Sequence, residues 1–217
     1  MDKFTLKNKI VSLIGKRNSG KSQMLRYLFN QQKHLFRAVF VVCPTETVNH
    51  FYKDLVNPKN IFDIYNEEWV EKLITKMAQE NGGKPENKAS HILLILDDCC
   101  SDTNFHQSKS FKKLCTRGRH VKISVIITAQ YIYQIPPVAR NNSDFILCSQ
   151  MNTQGLDLLT SEFLFGNLTK REFIDIYYKN TADYGFLVIN NNCTKSNDDV
   201  NELYGNLKVP ENLIKKM

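Results

Sequence analysis

At positions 15 to 22 the chain reads Gly15-Lys16-Arg17-Asn18-Ser19-Gly20-Lys21-Ser22, a full match to G-x-x-x-x-G-K-[ST]. An apolar run precedes this stretch and a segment of helical periodicity follows it. Two glycines at this spacing let backbone N–H groups turn inward around phosphate oxygens at a helix N-terminus. We therefore expect the stretch to bind nucleotide phosphates, with Lys21 reaching the β- and γ-phosphates and Ser22 placing its hydroxyl on Mg²⁺.

Outside this stretch, short apolar runs alternate with segments of helical period, which is typical of an α/β protein with a mainly parallel sheet. Strands are predicted at residues 9–14, 38–43, 61–65, 92–96, 123–128, 145–148 and 186–189. Helices are predicted at 21–32, at 67–79, and after Thr169, where Glu172 completes a capping box. With 217 residues and no linker composition, we expect residues 1–217 to form a single domain.

A second motif is the apolar run at residues 92–96, which ends in Asp97 and Asp98. We expect Asp97 to hold Mg²⁺, either through a water or together with Ser22, and Asp98 to orient and deprotonate the attacking water as general base. Asp97 lies 76 positions after Lys21, which suits the P-loop ATPases that carry an additional strand between the two motifs. The alternative is that both carboxylates only end a strand, and most hydrolases of this type use a glutamate at the position of Asp98.

A third motif, at residues 123–130, is another buried strand that ends in Gln130, a candidate contact to the γ-phosphate. Arg119 precedes this strand and is the first candidate for a guanidinium that stabilises the transferring phosphate of a neighbouring subunit. Arg140 is the second candidate. For each arginine the alternative is a solvated surface side chain.

Composition sets further limits. The net charge of +7 permits a polyanionic partner without specifying one. The basic segment 108–113 either touches a nucleic-acid backbone or forms a solvated helix face.

The apolar runs are too short for a membrane span and the N-terminus lacks signal-peptide character, so the six cysteines are interpreted as reduced intracellular thiols. Cysteine and histidine spacings at 99–120 do not fit a zinc site.

The order GKRNSGKS, LLILDD and GRHVKISVIITAQ resembles the genome-packaging ATPases of nucleocytoplasmic large DNA viruses, the poxvirus-type branch of the FtsK–HerA superfamily of P-loop ATPases. The resemblance implies a RecA-like P-loop NTPase with sheet order 5-1-4-3-2. It implies an ATP-hydrolysing translocase that uses ATP and Mg²⁺ to feed double-stranded DNA into a capsid. Its expected partners are other copies of the chain in a ring and a capsid or portal-like virion protein, and its expected locations are the viral assembly site in the host-cell cytoplasm and the virion.

Carried over residue by residue, the resemblance gives Lys21 and Ser22 the phosphate-loop roles, Asp97 the metal, Asp98 the base, Gln130 the sensor and Arg119 the finger acting in trans. Two other readings stay open. A small nucleotide kinase fits the chain length but lacks an identifiable Arg-rich lid. A nucleotide-dependent binding switch without appreciable turnover fits the short base Asp98.

Overall fold

The structure is a computed structural model that describes residues 4–101, 103–193 and 199–214. Its strands are β1 (Ile10–Ile14), β2 (Ala38–Val42), β3 (Ile61–Phe62), β4 (Ile92–Asp97), β5 (Ile123–Ala129), β6 (Phe145–Cys148), β7 (Gly185–Asn190) and β8 (Tyr204–Lys208). Its helices are α1 (Lys21–Gln32), α2 (Glu46–Asn49), α3 (Glu67–Asn81), α4 (Thr103–Gln107), α5 (Lys109–Arg117), α6 (Pro137–Asn142), α7 (Thr153–Phe163), α8 (Lys170–Thr181), α9 (Val200–Leu203) and α10 (Glu211–Ile214).

The eight strands form one sheet in the order β3-β2-β4-β5-β1-β6-β7-β8. The strands from β3 to β6 in this order pair in parallel, and β7 and β8 extend the sheet by antiparallel pairing. Without β3, β7 and β8, the order read from β6 to β2 is the predicted 5-1-4-3-2. The predicted α/β fold with a mainly parallel sheet is confirmed, and these three strands widen it at its two edges.

Side chains of the central strands alternate between two hydrophobic cores, one on each face of the sheet. In β4, Leu94 and Leu96 enter one core, while Leu93 and Ile95 enter the other. Helix α1 covers the second core through Met24, Leu25 and their neighbours. All of these side chains are buried, so the central strands are covered on both faces, as their unbroken apolar sequence predicts.

One predicted strand is shorter than expected, and one strand was not predicted. The strand predicted at 61–65 is only Ile61–Phe62, and Tyr65 instead turns its hydroxyl to Ser110 at 2.8 Å. The sequence pattern does not predict strand β8, because Tyr204–Lys208 contains glycine and asparagine, which have low β propensity, and it lies at the sheet edge. The capping box at α8 is confirmed: the Thr169 side chain accepts from the Glu172 N–H, and Glu172 accepts from the Thr169 N–H.

Candidate active site

The glycine-rich loop lies at the carboxyl edge of the sheet, between the end of β1 and the start of α1. Its backbone is fastened on both sides. The Gly15 N–H donates to the Ala129 carbonyl at the end of β5, at 3.2 Å, and the Lys16 N–H donates to the Gln150 carbonyl after β6, at 3.1 Å. The sheet therefore fixes where the loop starts.

Both loop glycines are required by geometry. A Cβ at Gly15 would stand 2.5 Å from Ser19 Oγ and 3.0 Å from Ser149 Cβ, so any side chain there would force both serines to shift. Gly20 precedes α1 with φ at 89°, a left-handed conformation that glycine adopts without strain. Tyr184 and Val209, from the antiparallel part of the sheet, lie against Gly20. The two glycines at the ends of the loop are thus packed against side chains from distant parts of the chain, whereas residues 16–18 between them are exposed.

Electrostatics at the loop favour an anion. Helix α1 has twelve residues and no acidic residue in its first turn, so its positive end is not neutralised by its own side chains. Lys21 lies in that turn and its Nζ donates to the carbonyls of Gly15 at 2.5 Å and Lys16 at 3.2 Å. Burial lowers the pKa of the Lys21 ammonium, and the Asp98 and Asp97 carboxylates oppose that shift.

The Asp97 carboxylate at the end of β4 is held by three side chains. Thr128 of β5 donates to Oδ1, whereas Oδ2 accepts from the Tyr52 hydroxyl at 2.9 Å and from Cys43 Sγ at 3.6 Å. Burial, reinforced by the Asp97 charge, raises the pKa of Tyr52 well above its ordinary value and that of Cys43 to about 11. Tyr52 and Cys43 therefore stay protonated and act as donors to Asp97.

Asp98 follows with φ at 53°, in the left-handed region. Its N–H donates to Thr128 Oγ1 at 3.1 Å, and its Oδ2 accepts from Gln130 Nε2 at 3.4 Å. Burial raises the pKa of the Asp98 carboxyl, the adjacent Asp97 charge raises it further, and Lys21 and Gln130 act in the opposite direction. A carboxylate with a raised pKa is a better proton acceptor than an ordinary aspartate.

These groups line one cleft of about 500 Å³, bounded by the loop from Arg17 to Gln23, the carboxylates Asp97 and Asp98, and Gln130. The volume is within the range of roughly 300–1,000 Å³ that holds small ligands. The glycine cradle, the helix N-terminus and Lys21 fit a phosphate chain. The Ser22 hydroxyl and the Asp97 carboxylate supply the hard oxygen ligands that suit Mg²⁺. The residues present therefore fit both ATP and its metal.

The two candidate arginines lie in ion pairs within the chain and do not line this cleft. Arg119 precedes β5, at the opposite edge of the sheet, and its Nη1 donates to the buried Asp144 at 2.9 Å. Arg140 is buried and forms a bidentate pair with Glu162, at 2.7 Å and 2.6 Å. The structure thus gives both guanidinium groups intramolecular partners, and their action on a neighbouring subunit stays a prediction.

Sequence reasoning missed the loop between β2 and β3. The buried Glu46 carboxylate accepts from the N–H groups of Tyr52 and Lys53, at 2.9 Å and 3.0 Å, and so folds residues 46–53 back toward β4. This fold brings the Tyr52 hydroxyl to Asp97. Cys43 could have been found, because it directly follows a strand at the carboxyl edge of the sheet.

The other sequence candidates lie elsewhere or are structural. In the basic segment, Phe111 is buried and Lys113 pairs with Glu71 of α3 at 2.5 Å, while Lys109 and Lys112 are exposed, so a contact of this segment with nucleic acid stays a prediction. Cys99, Cys100 and Cys115 are buried, and within residues 4–101, 103–193 and 199–214 there is no group of three metal-ligating side chains. No helix in those ranges has the length and apolar character to cross a membrane.

Comparison with known proteins finds viral relatives of this chain. Protein 075L of Invertebrate iridescent virus 6 is 33% identical over 206 residues, which is 94% of this chain and 78% of the relative. Protein 015R of Frog virus 3 is 26% identical over 140 residues, covering 64% of this chain and 43% of that relative.

Solved structures share the fold. The genome packaging NTPase B204 of Sulfolobus turreted icosahedral virus 2, in complex with AMPPCP, superposes with a TM-score of 0.63 at 17% identity, covering 94% of this chain and 99% of that chain. The pCW3 conjugation coupling protein TcpA superposes with a TM-score of 0.57 at 16% identity, covering 84% and 57% of the two chains.

The family comparison covers nearly the whole chain. The model of the poxvirus A32 protein matches residues 2–201, a range that includes the glycine-rich loop, both carboxylates, Gln130 and both candidate arginines. This chain belongs to the poxvirus A32 protein family.

Proposed function

We propose that this chain is an ATP-hydrolysing DNA translocase that packages viral double-stranded DNA into a capsid. The observation that carries the proposal is the meeting of the glycine-rich loop, Asp97, Asp98 and Gln130 in one cleft. The family match and the shared fold with a genome packaging NTPase that binds AMPPCP support it.

In the proposed reaction, the phosphates of ATP lie over the N-terminus of α1, where the loop N–H groups and Lys21 bind them. Ser22 and Asp97 would hold Mg²⁺, which would supply positive charge to the phosphate oxygens when bound. Asp98 accepts the proton of the attacking water, and Gln130, which already contacts Asp98, orients that water and the γ-phosphate. The Thr128 hydroxyl donates to the Asp97 carboxylate and accepts from the Asp98 backbone N–H, and so links the two acidic positions.

We infer that residues 1–217 act as one ATPase domain, because all eight strands belong to one sheet. The proposed assembly is a homo-oligomeric ring on double-stranded DNA, working with a capsid or portal-like protein at the assembly site in the host-cell cytoplasm. In such a ring Arg119, and after it Arg140, would serve the neighbouring active site, which requires exchange of the Asp144 or Glu162 pair.

The test is ATP hydrolysis by the purified chain over a concentration series, with and without double-stranded DNA at low salt, beside the Lys21→Ala variant. We expect turnover per chain to rise with concentration and with DNA, and to vanish in Lys21→Ala. Turnover that changes with neither protein concentration nor DNA would overturn the proposed translocase function. Phosphate transfer to a nucleoside monophosphate would instead identify a kinase, and ATP binding without turnover would identify a switch.

A further inference from the structure

The cleft has one wall whose chemistry the phosphates do not use. Beyond the glycine-rich loop it is lined by Phe51 and Asn49, which belong to the segment after β2, and by Gln23 of α1. An aromatic ring and two amides are groups that bind a nucleoside, since every base offers a face for stacking and polar edges for hydrogen bonds.

Two neighbouring side chains hold the Phe51 ring in place. The Arg26 guanidinium lies 4.8 Å from its centroid, and Tyr52 contacts it in an edge arrangement with centroids 4.8 Å apart. Tyr52 is itself fully buried and tied to Asp97. Phe51 is therefore a preorganised platform: one face is covered by a cation, and the ring borders the cleft.

Gln23 adds an independent observation. Its Oε1 atom is buried and has no hydrogen-bond partner among the described residues. A buried acceptor without a partner is costly, which points to a donor supplied by a ligand. Gln23 and Arg26 are three residues apart on α1 and so share a helix face, which places this amide on the side of the helix that meets Phe51.

We propose that Phe51, Gln23 and Asn49 form the nucleoside subsite of the cleft, in which the base stacks against the Phe51 ring. Gln23 Oε1 accepts a hydrogen bond from an amino or hydroxyl group of the nucleoside. The inference rests on the proposed nucleotide-binding function and extends it to the part of the substrate that the glycine-rich loop does not recognise.

The test separates the two halves of the ligand. Calorimetric titration with Mg²⁺-ATP reports on both halves, whereas inorganic tripolyphosphate with Mg²⁺ reports on the phosphate half alone. The variant is Phe51→Leu, which removes the ring and keeps an apolar side chain. The matched control is Tyr178→Leu, which removes an exposed ring on α8 that does not line the cleft.

We expect Phe51→Leu to weaken ATP binding at least about fivefold, the lower end for loss of one base–aromatic stack, with tripolyphosphate binding unchanged. Gln23→Leu should show the same pattern, and Tyr178→Leu should leave the binding of both ligands unchanged. Equal loss of both ligands in Phe51→Leu, no loss of either ligand, or a selective loss of ATP binding in Tyr178→Leu would overturn the subsite.

Failure of the broader function gives a different result. If the parent chain bound neither ligand, or if Lys21→Ala left tripolyphosphate binding unchanged, nucleotide recognition by the loop would itself be wrong, and the subsite would fall with it. Urea unfolding of each variant checks that the fold is intact, because a misfolded variant would lose tripolyphosphate together with ATP.

Discussion

The Tyr52 hydroxyl donates a 2.9 Å hydrogen bond to Oδ2 of Asp97, joining a fully buried ring to the proposed metal ligand. A hydrogen bond to a charged group stabilises by about 1.5–3 kcal/mol. This contact fixes the direction of the carboxylate before any metal arrives. Tyr52 is therefore a positioning residue. Loss of its hydroxyl should weaken Mg²⁺ binding more than it changes the rate of ATP hydrolysis at saturating Mg²⁺.

Tyr52→Phe is expected to raise the Mg²⁺ concentration needed for half-maximal hydrolysis several-fold, because the unrestrained Asp97 carboxylate binds the ion less well. The rate at saturating Mg²⁺ should stay close to that of the parent. A Mg²⁺ titration of ATPase activity measures this. Tyr65→Phe is the matched control, since it also removes a tyrosine hydrogen bond, to Ser110, away from the cleft. An equal shift in both variants would show that the effect is only structural.

Asp98→Asn is expected to bind ATP and to lose hydrolysis by about 10²-fold or more, the usual contribution of a general base. In the parent, hydrolysis should fall as the pH is lowered, because a protonated Asp98 cannot accept a proton. Since burial raises the pKa of Asp98 above the ordinary 3.8, that fall should begin at a higher pH than for an exposed aspartate. Hydrolysis by Asp98→Asn at the parent rate would remove Asp98 as the base.

The same substitution has a stability signature. A raised pKa in the folded state means that the stability contributed by Asp98 is present at low pH and is lost as the pH rises through the folded pKa. The asparagine of the Asp98→Asn variant carries no charge, and asparagine tolerates the positive φ of this position. Thermal unfolding should therefore show Asp98→Asn to be more stable than the parent at neutral pH, with the difference disappearing in acid.

Gly20→Ala should lower the free energy of unfolding by about 1–2 kcal/mol, the cost of a left-handed alanine, and should weaken ATP binding. Its Cβ would stand 3.3 Å from Tyr184 Cδ1, so the Tyr184 ring or the loop would have to shift by a few tenths of an ångström. Gly83 has a similar φ of 72° with no atom within 4 Å of an added Cβ, so Gly83→Ala serves as the control in urea unfolding and ATP titration. If Gly20→Ala bound ATP as tightly as the parent, the close packing of Tyr184 against Gly20 would not matter for nucleotide binding.

Arg140→Ala is expected to destabilise the fold by about 3–5 kcal/mol, because it leaves the Glu162 carboxylate without its bidentate partner. Lys170→Ala, which breaks an exposed pair with Asp157, should cost under about 1 kcal/mol. Urea unfolding compares the two. If Arg140→Ala abolished DNA-stimulated hydrolysis while the free energy of unfolding stayed unchanged, Arg140 would be acting on a neighbouring subunit and would not be stabilising the fold.

Much of the site could be predicted from sequence, because a strand pattern fixes which residues reach the carboxyl edge. Lys21, Asp97 and Gln130 each follow an apolar strand of one parallel sheet, so their meeting follows from topology. Tyr52 could not be predicted in this way. Its position depends on Glu46 capturing two backbone N–H groups in an irregular loop, and that loop has no periodicity to read.

The partners of the arginines were also beyond sequence reasoning. Arg119 and Asp144 lie in different connections of the fold, and Asp144 is buried where β6 begins, so only the packed structure shows that it accepts from Arg119, Lys9 and the Ile10 N–H. The strand β8 was missed for a related reason. Its pairing with β7, rather than its own residues, makes it a strand.

Because Tyr184 and Val209 border Gly20, the antiparallel end of the sheet shares a wall with the phosphate loop. A nucleotide that makes this loop more rigid should therefore slow hydrogen exchange at the amides of residues 184–188 and 204–209. These amides are far in sequence from the loop that binds the nucleotide. The last strands of the chain would then report on nucleotide occupancy, so that amide protection there offers a label-free view of each step in the ATP cycle.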